Sequence, residues 1–571
     1  MRNSINLSIG LVVLACFAEA QPIKSLRQIV RALESSQSVS LYSTADSSTV
    51  KCGTPLIQAI RSQWSALSPQ SRAELEQVLQ RPTLQTSRLS PSGHFRIHFD
   101  SSGYNQPAII VNGQPIPNSH SAYIDSVVAV LDYVWNYEIG ILGYDPPPPD
   151  NNLGGGPEYD IYVEELGTSE FGYTDWPYPF DPDVILNGSN ERHFTYIVID
   201  NDYLGFRTPG MNGLKVTCAH EFHHAVQIGA YGLWNNVANN DFYFNELTSS
   251  WMEDVVYTDV NDYYFDVVNY FRGLRDYRGS ALSFAFFSRS SYAGYERCIW
   301  GHFLAKRFGR NIMREIWTGI RETPFLKSAE KVLLDHGTDW GTEFSLFSYW
   351  NYYTADRADS ARFYPEGKNY PRFTPNMTTN FTGSTSTIAS GSYPLSTAMY
   401  EFQLAQDTIT AIVSNNEVQA ILSNDMGARQ ITLMLSKGAV SAPHVLLSNG
   451  LTAGFSADDL TQWKTFYTGA STKTDLERVQ LAASPNPFRL AVSARLVLPV
   501  EDPAAAKASV YFLSSSMALA YTGEYDVTTE FGTRMIAIPA KDIQTRISSG
   551  IYFVVAKMTH SESRWKVAII Q

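Results

Sequence analysis

From Ile23 to Gln80 apolar residues recur at helical spacing in two groups. The first is Leu26, Ile29, Val30 and Leu33; the second is Leu56, Ile60, Trp64, Leu67, Leu75, Val78 and Leu79, with Ser68-Pro69 as a break. The polar stretch Arg81 to Gly93 has the composition of a linker and a processing zone. Gly93 to Phe99 then alternates apolar and polar positions, which predicts a strand with one buried face. Ser121 to Leu142 carries Ile124, Val127, Val128, Leu131 and Trp135 on one helical face. After a stiff loop through Pro146–Pro149 and Gly154–Gly156, Tyr159–Val163 and Phe194–Ile199 predict two more strands. Helices are expected over Met211 to Ile228, Asp241 to Tyr257 and Tyr295 to Thr323. Beyond about Thr374, Ser, Thr and alternating apolar residues take over and predict short strands separated by turns. The expected fold class is therefore α+β, a mixed domain over 89–385 followed by two β-sandwich-like domains at 386–475 and 476–571.

A chain of 571 residues exceeds what one apolar core supports, so several domains are expected. Its net charge of -13, with no run of Lys or Arg, offers no footprint for phosphate backbones, which argues against nucleic acid as a partner. Residues 1–20 join Arg2, an apolar run from Ile5 to Phe17 and Ala18-Glu19-Ala20, the pattern of a cleavable secretory signal. Lipid attachment at Cys16 is the rival reading of that stretch. No later apolar run is long enough for a transmembrane helix. Residues 21–88 then read as a pro-region, and Cys52, Cys218 and Cys298 remain after the signal, an odd number that cannot form a disulfide framework.

The chemistry-bearing motif is Thr217-Cys218-Ala219-His220-Glu221-Phe222-His223-His224-Ala225-Val226-Gln227. His220 and His224 lie one helical turn apart on one face, so both imidazoles can reach one tetrahedral zinc ion, with Glu221 beside it as a general base. A catalytic zinc needs a third protein ligand. Glu246 is the candidate, in Asn245-Glu246-Leu247-Thr248-Ser249-Ser250-Trp251-Met252-Glu253, 21 residues (225–245) beyond His224. Glu253 shares its helical face but sits about 10 Å further along the axis, so both cannot bind one metal; Glu253 suits a hydrogen bond to a ligand histidine or a substrate amine. His223 is assigned a supporting or structural role, Tyr292 and Tyr295 are candidates for an oxyanion donor beside their ordinary place in a core, and the Asp200–Asp202 turn could bind calcium but suits strand capping better.

H-E-x-x-H followed by a helix bearing Asn-Glu-x-x-Ser resembles the gluzincin clan of zincin-fold peptidases, and the run from Tyr196 to Asp254 is similar to secreted bacterial metallopeptidases. The likeness covers roughly residues 90 to 330 and implies zinc held by His220, His224 and Glu246, with protein or peptide substrates. Ser250 departs from it where an Asp would support a histidine ligand, and the aminopeptidase signature Gly-x-Met-Glu-Asn is absent, which favours an endopeptidase. Ser484-Pro485-Asn486-Pro487-Phe488, Leu496–Pro499, Ser549–Phe553 and Lys566–Ile570 resemble the sorting domain of type IX secretion cargo, implying outer-membrane secretion machinery as a partner and an extracellular or cell-surface destination. Lys51-Cys52-Gly53-Thr54-Pro55 is similar to the Arg-Cys-Gly-x-Pro segment of matrix metalloprotease pro-regions, which implies a thiol that keeps the enzyme latent. A disulfide to Cys218 or Cys298, or a merely buried thiol, stays open beside it. The alternative function is a non-catalytic surface adhesin that retains a peptidase-like domain.

Overall fold

The computed structural model describes residues 51–571 apart from 63, 65, 66, 169, 177–184, 188, 189, 235–241, 274–293, 381–384, 393, 394, 404–407, 416–428, 438–442, 450–467, 471–485, 492, 501, 503, 515–517, 531, 532 and 560. The expected signal, the first helical group and Tyr292 all lie outside the described residues. The described residues are mixed α+β and divide into two compact units. One comprises the chain to Asp266 with Arg289–Gly301 and Met313–Pro324; the other comprises Val267–Ser288, His302–Ile312 and Phe325–Gln571.

The first unit is built on a five-stranded sheet of β1 (Thr86–Leu89), β2 (Phe95–Phe99), β3 (Tyr159–Glu164), β4 (Gly172–Asp175) and β5 (Tyr196–Asp200), in the order β1-β2-β3-β5-β4. Strands β2, β3 and β5 run parallel, and antiparallel β1 and β4 form the edges. All five positions of β5 are buried, the mark of a strand covered on both faces, whereas β2 alternates buried and half-buried positions. The stretch expected to be a linker supplies β1, an exposed polar strand that satisfies the outer backbone groups of β2. Having no apolar face, it leaves no periodic signal.

Ahead of the sheet stand α1 (Thr54–Ser62) and α2 (Pro69–Val78). Ile57, Ile60 and Leu75, with Trp64 and Leu67 between the helices, pack on Tyr162, Tyr173, Tyr196 and Val198 of the sheet. Each such fully buried side chain contributes about 1.5–3 kcal/mol. Arg61 anchors the same segment with a 2.7 Å ion pair to Asp175 at the end of β4.

Helices α3 (His120–Trp135), α4 (Gly210–Val226) and α5 (Phe242–Val256) complete the frame of the site. Both α3 and α4 run on into a widened turn, Asn136–Ile141 and Gln227–Tyr231. Strand β4 crosses α4 so closely that a Cβ at Gly172 would stand 2.8 Å from the Thr217 side chain and 2.8 Å from the Val198 carbonyl oxygen. Only glycine lets the edge strand lie this near the motif helix. The single helix expected over Tyr295 to Thr323 is instead a tight turn at Tyr295–Arg297 followed by α6 (Ile299–Phe308) and α7 (Asn311–Ile320). Gly309, at φ +89°, ends α6 in the left-handed conformation that caps helices.

In the second unit, strands between Met377 and Ala470 form one four-stranded and one three-stranded sheet. Residues 488–570 form a seven-stranded sheet. Its long strand Leu519–Glu530 pairs first with Lys507–Leu513 and at its end with Thr533–Pro539, which curls the sheet around one core that includes Phe488, Leu498, Phe512, Ile538, Val554 and Val567. No described helix is long and apolar enough to cross a membrane.

Candidate metal centre

One turn of α4 and the facing turn of α5 meet at three side chains. His220 Nε2 and His224 Nε2 stand 3.2 Å apart, and the Glu246 carboxylate reaches the first at 3.2 Å and the second at 3.1 Å. Ligands about 2.0–2.1 Å from a tetrahedral zinc are separated by about 3.3 Å, so this triangle has the dimensions of one face of a zinc site. The Cys52 Sγ is the fourth atom of the group, and all four ligand atoms lie within 4.8 Å of one another. Among the described residues this is the one such group.

The surroundings fix which atoms face inward. His220 Nδ1 is 2.7 Å from Glu253 Oε1, an acceptor, so that nitrogen carries its proton outward. His224 Nδ1 is 2.8 Å from Gln227 Oε1. The Gln227 amide cannot be turned over, because its Nε2 donates to the Asn245 carbonyl, Thr248 Oγ1 and Ser249 Oγ. With the Nδ1 protons directed outward, both Nε2 atoms face the Glu246 carboxylate, and each of these contacts needs a proton or a metal ion between its atoms. Burial would lower the His220 imidazole, but hydrogen bonds to Glu246 and Glu253 hold it up at about 10. Burial would likewise raise Glu246, yet His224 and His220 hold it down at about 2. A divalent ion meets the demand of all three side chains at once, so the residues present fit zinc.

Glu221 projects from the same turn. Its Oε2 accepts from Thr174 Oγ1 at 2.9 Å and stands 3.2 Å from Thr54 Oγ1. Thr54 belongs to the Cys52 segment, which lies along the edge strand: Cys52 forms a parallel bridge with Gly172, Phe171 N donates to the Lys51 carbonyl at 2.8 Å and Gly53 N donates to the Gly172 carbonyl at 3.0 Å. Burial, with the carboxylates of Glu221 and Glu246, pushes the Cys52 thiol well above its usual range. Cys52, Cys218 and Cys298 are all free and buried, so the disulfide alternatives do not hold.

The remaining candidates sort themselves by contact. His223 turns away from the triangle to Glu138, 2.8 Å from its Nδ1; burial lowers the His223 imidazole and raises the Glu138 carboxyl, moving both towards their uncharged forms. Tyr295 accepts from Cys52 N at 3.2 Å, with its ring 5.9 Å from that of His220. The Asp200 carboxylate accepts from the backbone N–H groups of Leu166, Asp202 and Tyr203, which is strand capping. The histidine support that Ser250 does not supply comes from Glu253 and Gln227. Gln227 is a residue the sequence reading missed, although its place one turn past His224 on the same face was a usable signal; Thr174 offered none, and Lys51 entered only as the first residue of the Cys52 segment.

These contacts separate candidate ligands from supports. Glu246→Ala is expected to abolish measurable zinc retention, whereas Glu253→Ala or Gln227→Ala weakens it by about 10–100-fold. Metal analysis after dialysis against a graded chelator checks this, and retention of zinc by the Glu246 variant would remove that ligand. No protein-family model matches the chain, and a search of curated proteins finds no similar one.

Proposed function

We propose that the protein is a secreted zinc endopeptidase of the gluzincin type, made as a precursor whose Cys52 segment covers the site. The observation that supports this reading is the convergence of two imidazole nitrogens and one carboxylate on a single point, with Glu221 one residue along the same helix. His220, His224 and Glu246 would hold the ion. Zinc at such a site supplies Lewis acidity that makes water a nucleophile near neutral pH and polarises a peptide carbonyl.

The chain's own residues do the rest. Glu221, oriented by Thr174, takes the proton of the attacking water and returns it to the leaving amine. Glu253 and Gln227 keep both ligand imidazoles in one tautomer. Tyr295, freed of Cys52 N once the segment departs, is the candidate donor to the oxyanion. Strand β4 offers its outer backbone edge for an extended peptide, the edge to which the segment around Cys52 is hydrogen bonded in the precursor. Digestion of an unbiased peptide library by processed protein, with and without chelator, tests the reading; zinc without peptide cleavage would reject it.

The same proposal assigns export to the C-terminal seven-stranded sheet as a type IX sorting domain. Deleting residues 476–571 is expected to leave a folded enzyme trapped in the periplasm. Fractionation of the producing cells checks this, and normal export of the shortened chain would reject the assignment.

A further inference from the structure

Beside the metal triangle lies a second charged chamber that shares only Glu253 with the peptidase chemistry. The Lys51 ammonium is buried there, within 2.6 Å of Glu253, 2.8 Å of Asp262 and 3.8 Å of Asp266. The Tyr295 ring is 5.8 Å away. From the other side Arg207 pairs with Asp262 at 2.8 Å and with Asp266 at 2.7 Å. Three carboxylates thus share two cations, and one of the cations arrives on the segment that covers the site.

Removing one partner of a buried ion pair leaves an uncompensated charge, which is strongly destabilising. When the segment leaves, Glu253 keeps only the His220 N–H and Asp262 keeps Arg207 and Thr208, with a net deficit of positive charge in a buried place. The chamber is therefore shaped and charged for a long basic side chain, and the precursor already shows one bound. Its position is set as well. Lys51 adjoins Cys52, whose sulfur belongs to the metal group, and its own carbonyl is hydrogen bonded to the edge strand. Consecutive residues of an extended peptide are 3.8 Å apart, so a peptide held along β4 with its carbonyl beside the His220–His224–Glu246 triangle would bring a neighbouring side chain within reach of the place Lys51 holds.

We infer that the chamber of Glu253, Asp262 and Asp266 is the specificity pocket of the enzyme, and that its ligand is a lysine or arginine side chain of the substrate next to the scissile bond. This rests on the peptidase reading and adds the substrate class. Lys51 holds the pocket in the precursor as a built-in occupant, so the segment blocks metal, base and specificity pocket together through Cys52, Thr54 and Lys51.

The test takes the full-length chain with a protease site placed within residues 80–85, cut and freed of the upstream fragment. In a peptide library, cleavages are expected to carry Lys or Arg at one fixed position beside the scissile bond, at least ten-fold over Gln, Leu or Glu there. Asp262→Asn should reduce the Lys-to-Gln ratio to near one. Chelator-sensitive cleavage with no basic preference overturns the pocket while leaving the peptidase reading intact. A binding measurement separates the two failures: labelled peptides differing only in Lys or Gln at that position are titrated into the cut Glu221→Gln chain. Tenfold tighter binding of the Lys peptide is the expected result, and equal affinity overturns the pocket whether or not any peptide is ever cleaved. An intact-chain arm needs no cutting. In full-length Lys51→Ala, n-butylammonium should raise the melting temperature by about 3 °C or more and n-butanol should not; equal effects of the two probes overturn the assignment.

Discussion

In the processed protein, Glu221→Gln is expected to keep its zinc and lose turnover by about 10²–10⁴-fold, the usual worth of a positioned general base. The substitution is isosteric, and the new amide oxygen can still accept from Thr174, so neither the fold nor the ligand set changes. What is lost is the capacity to take a proton. Zinc content and kcat measured on the same sample separate the two contributions, and near-normal kcat with full zinc would take Glu221 out of the mechanism.

Cutting the precursor within residues 80–85 and removing the upstream segment should raise activity on the order of a hundred-fold, since a site covered more than 99% of the time works at under 1% of its capacity. Cys52→Ser without a cut should recover only a small part of that gain. The short likeness to matrix metalloprotease pro-regions, taken alone, implies that losing the thiol unmasks the enzyme. The structure adds three further attachments: Lys51 in its carboxylate chamber, Thr54 beside Glu221, and the apolar contacts of Ile57, Ile60 and Trp64. Burial also shields Cys52 from thiol reagents, whose reaction with the precursor should be slow. Activity of each form on one peptide substrate decides the matter. A Cys52→Ser precursor as active as the cut chain would make the thiol the sole lock, and a cut chain no more active than the precursor would end the proposal of latency.

What could be read in the sequence was what depends on short spacing. His220, Glu221 and His224 declare themselves within one turn, and β2 shows its buried face in five residues. Glu246 was reached from the need for a third ligand and the helical pattern around it, and the structure brings it to the two histidines. Contacts that depend on the tertiary fold left no mark. Lys51 meets Glu253 across 202 positions and Asp262 across 211, and Thr174 meets Glu221 across 47. Glu138 finds His223 from a widened turn that no heptad or 3.6-residue pattern announces. Strand β1 was hidden for another reason: it is largely exposed and carries only Leu89 as an apolar side chain, so it mimics a linker until its neighbour is known. The break at Gly309 was visible as a lone glycine, but its position inside a long apolar period outweighed it.

The layer that α1 and α2 add beneath the sheet has a consequence for the life of the processed molecule. Part of its core would have been supplied by a piece it no longer carries, joined to the rest through contacts such as Arg61–Asp175, 114 positions apart. Long-range contacts of this kind form slowly in folding, and without them a denatured chain has a poorer route back. The precursor should therefore recover its circular-dichroism signal after one cycle of heating and cooling, while the cut protein should not. If the segment is removed as proposed and the cut form does not refold, its endurance is a matter of how slowly it unfolds, and its working half-life, not an equilibrium free energy, describes it.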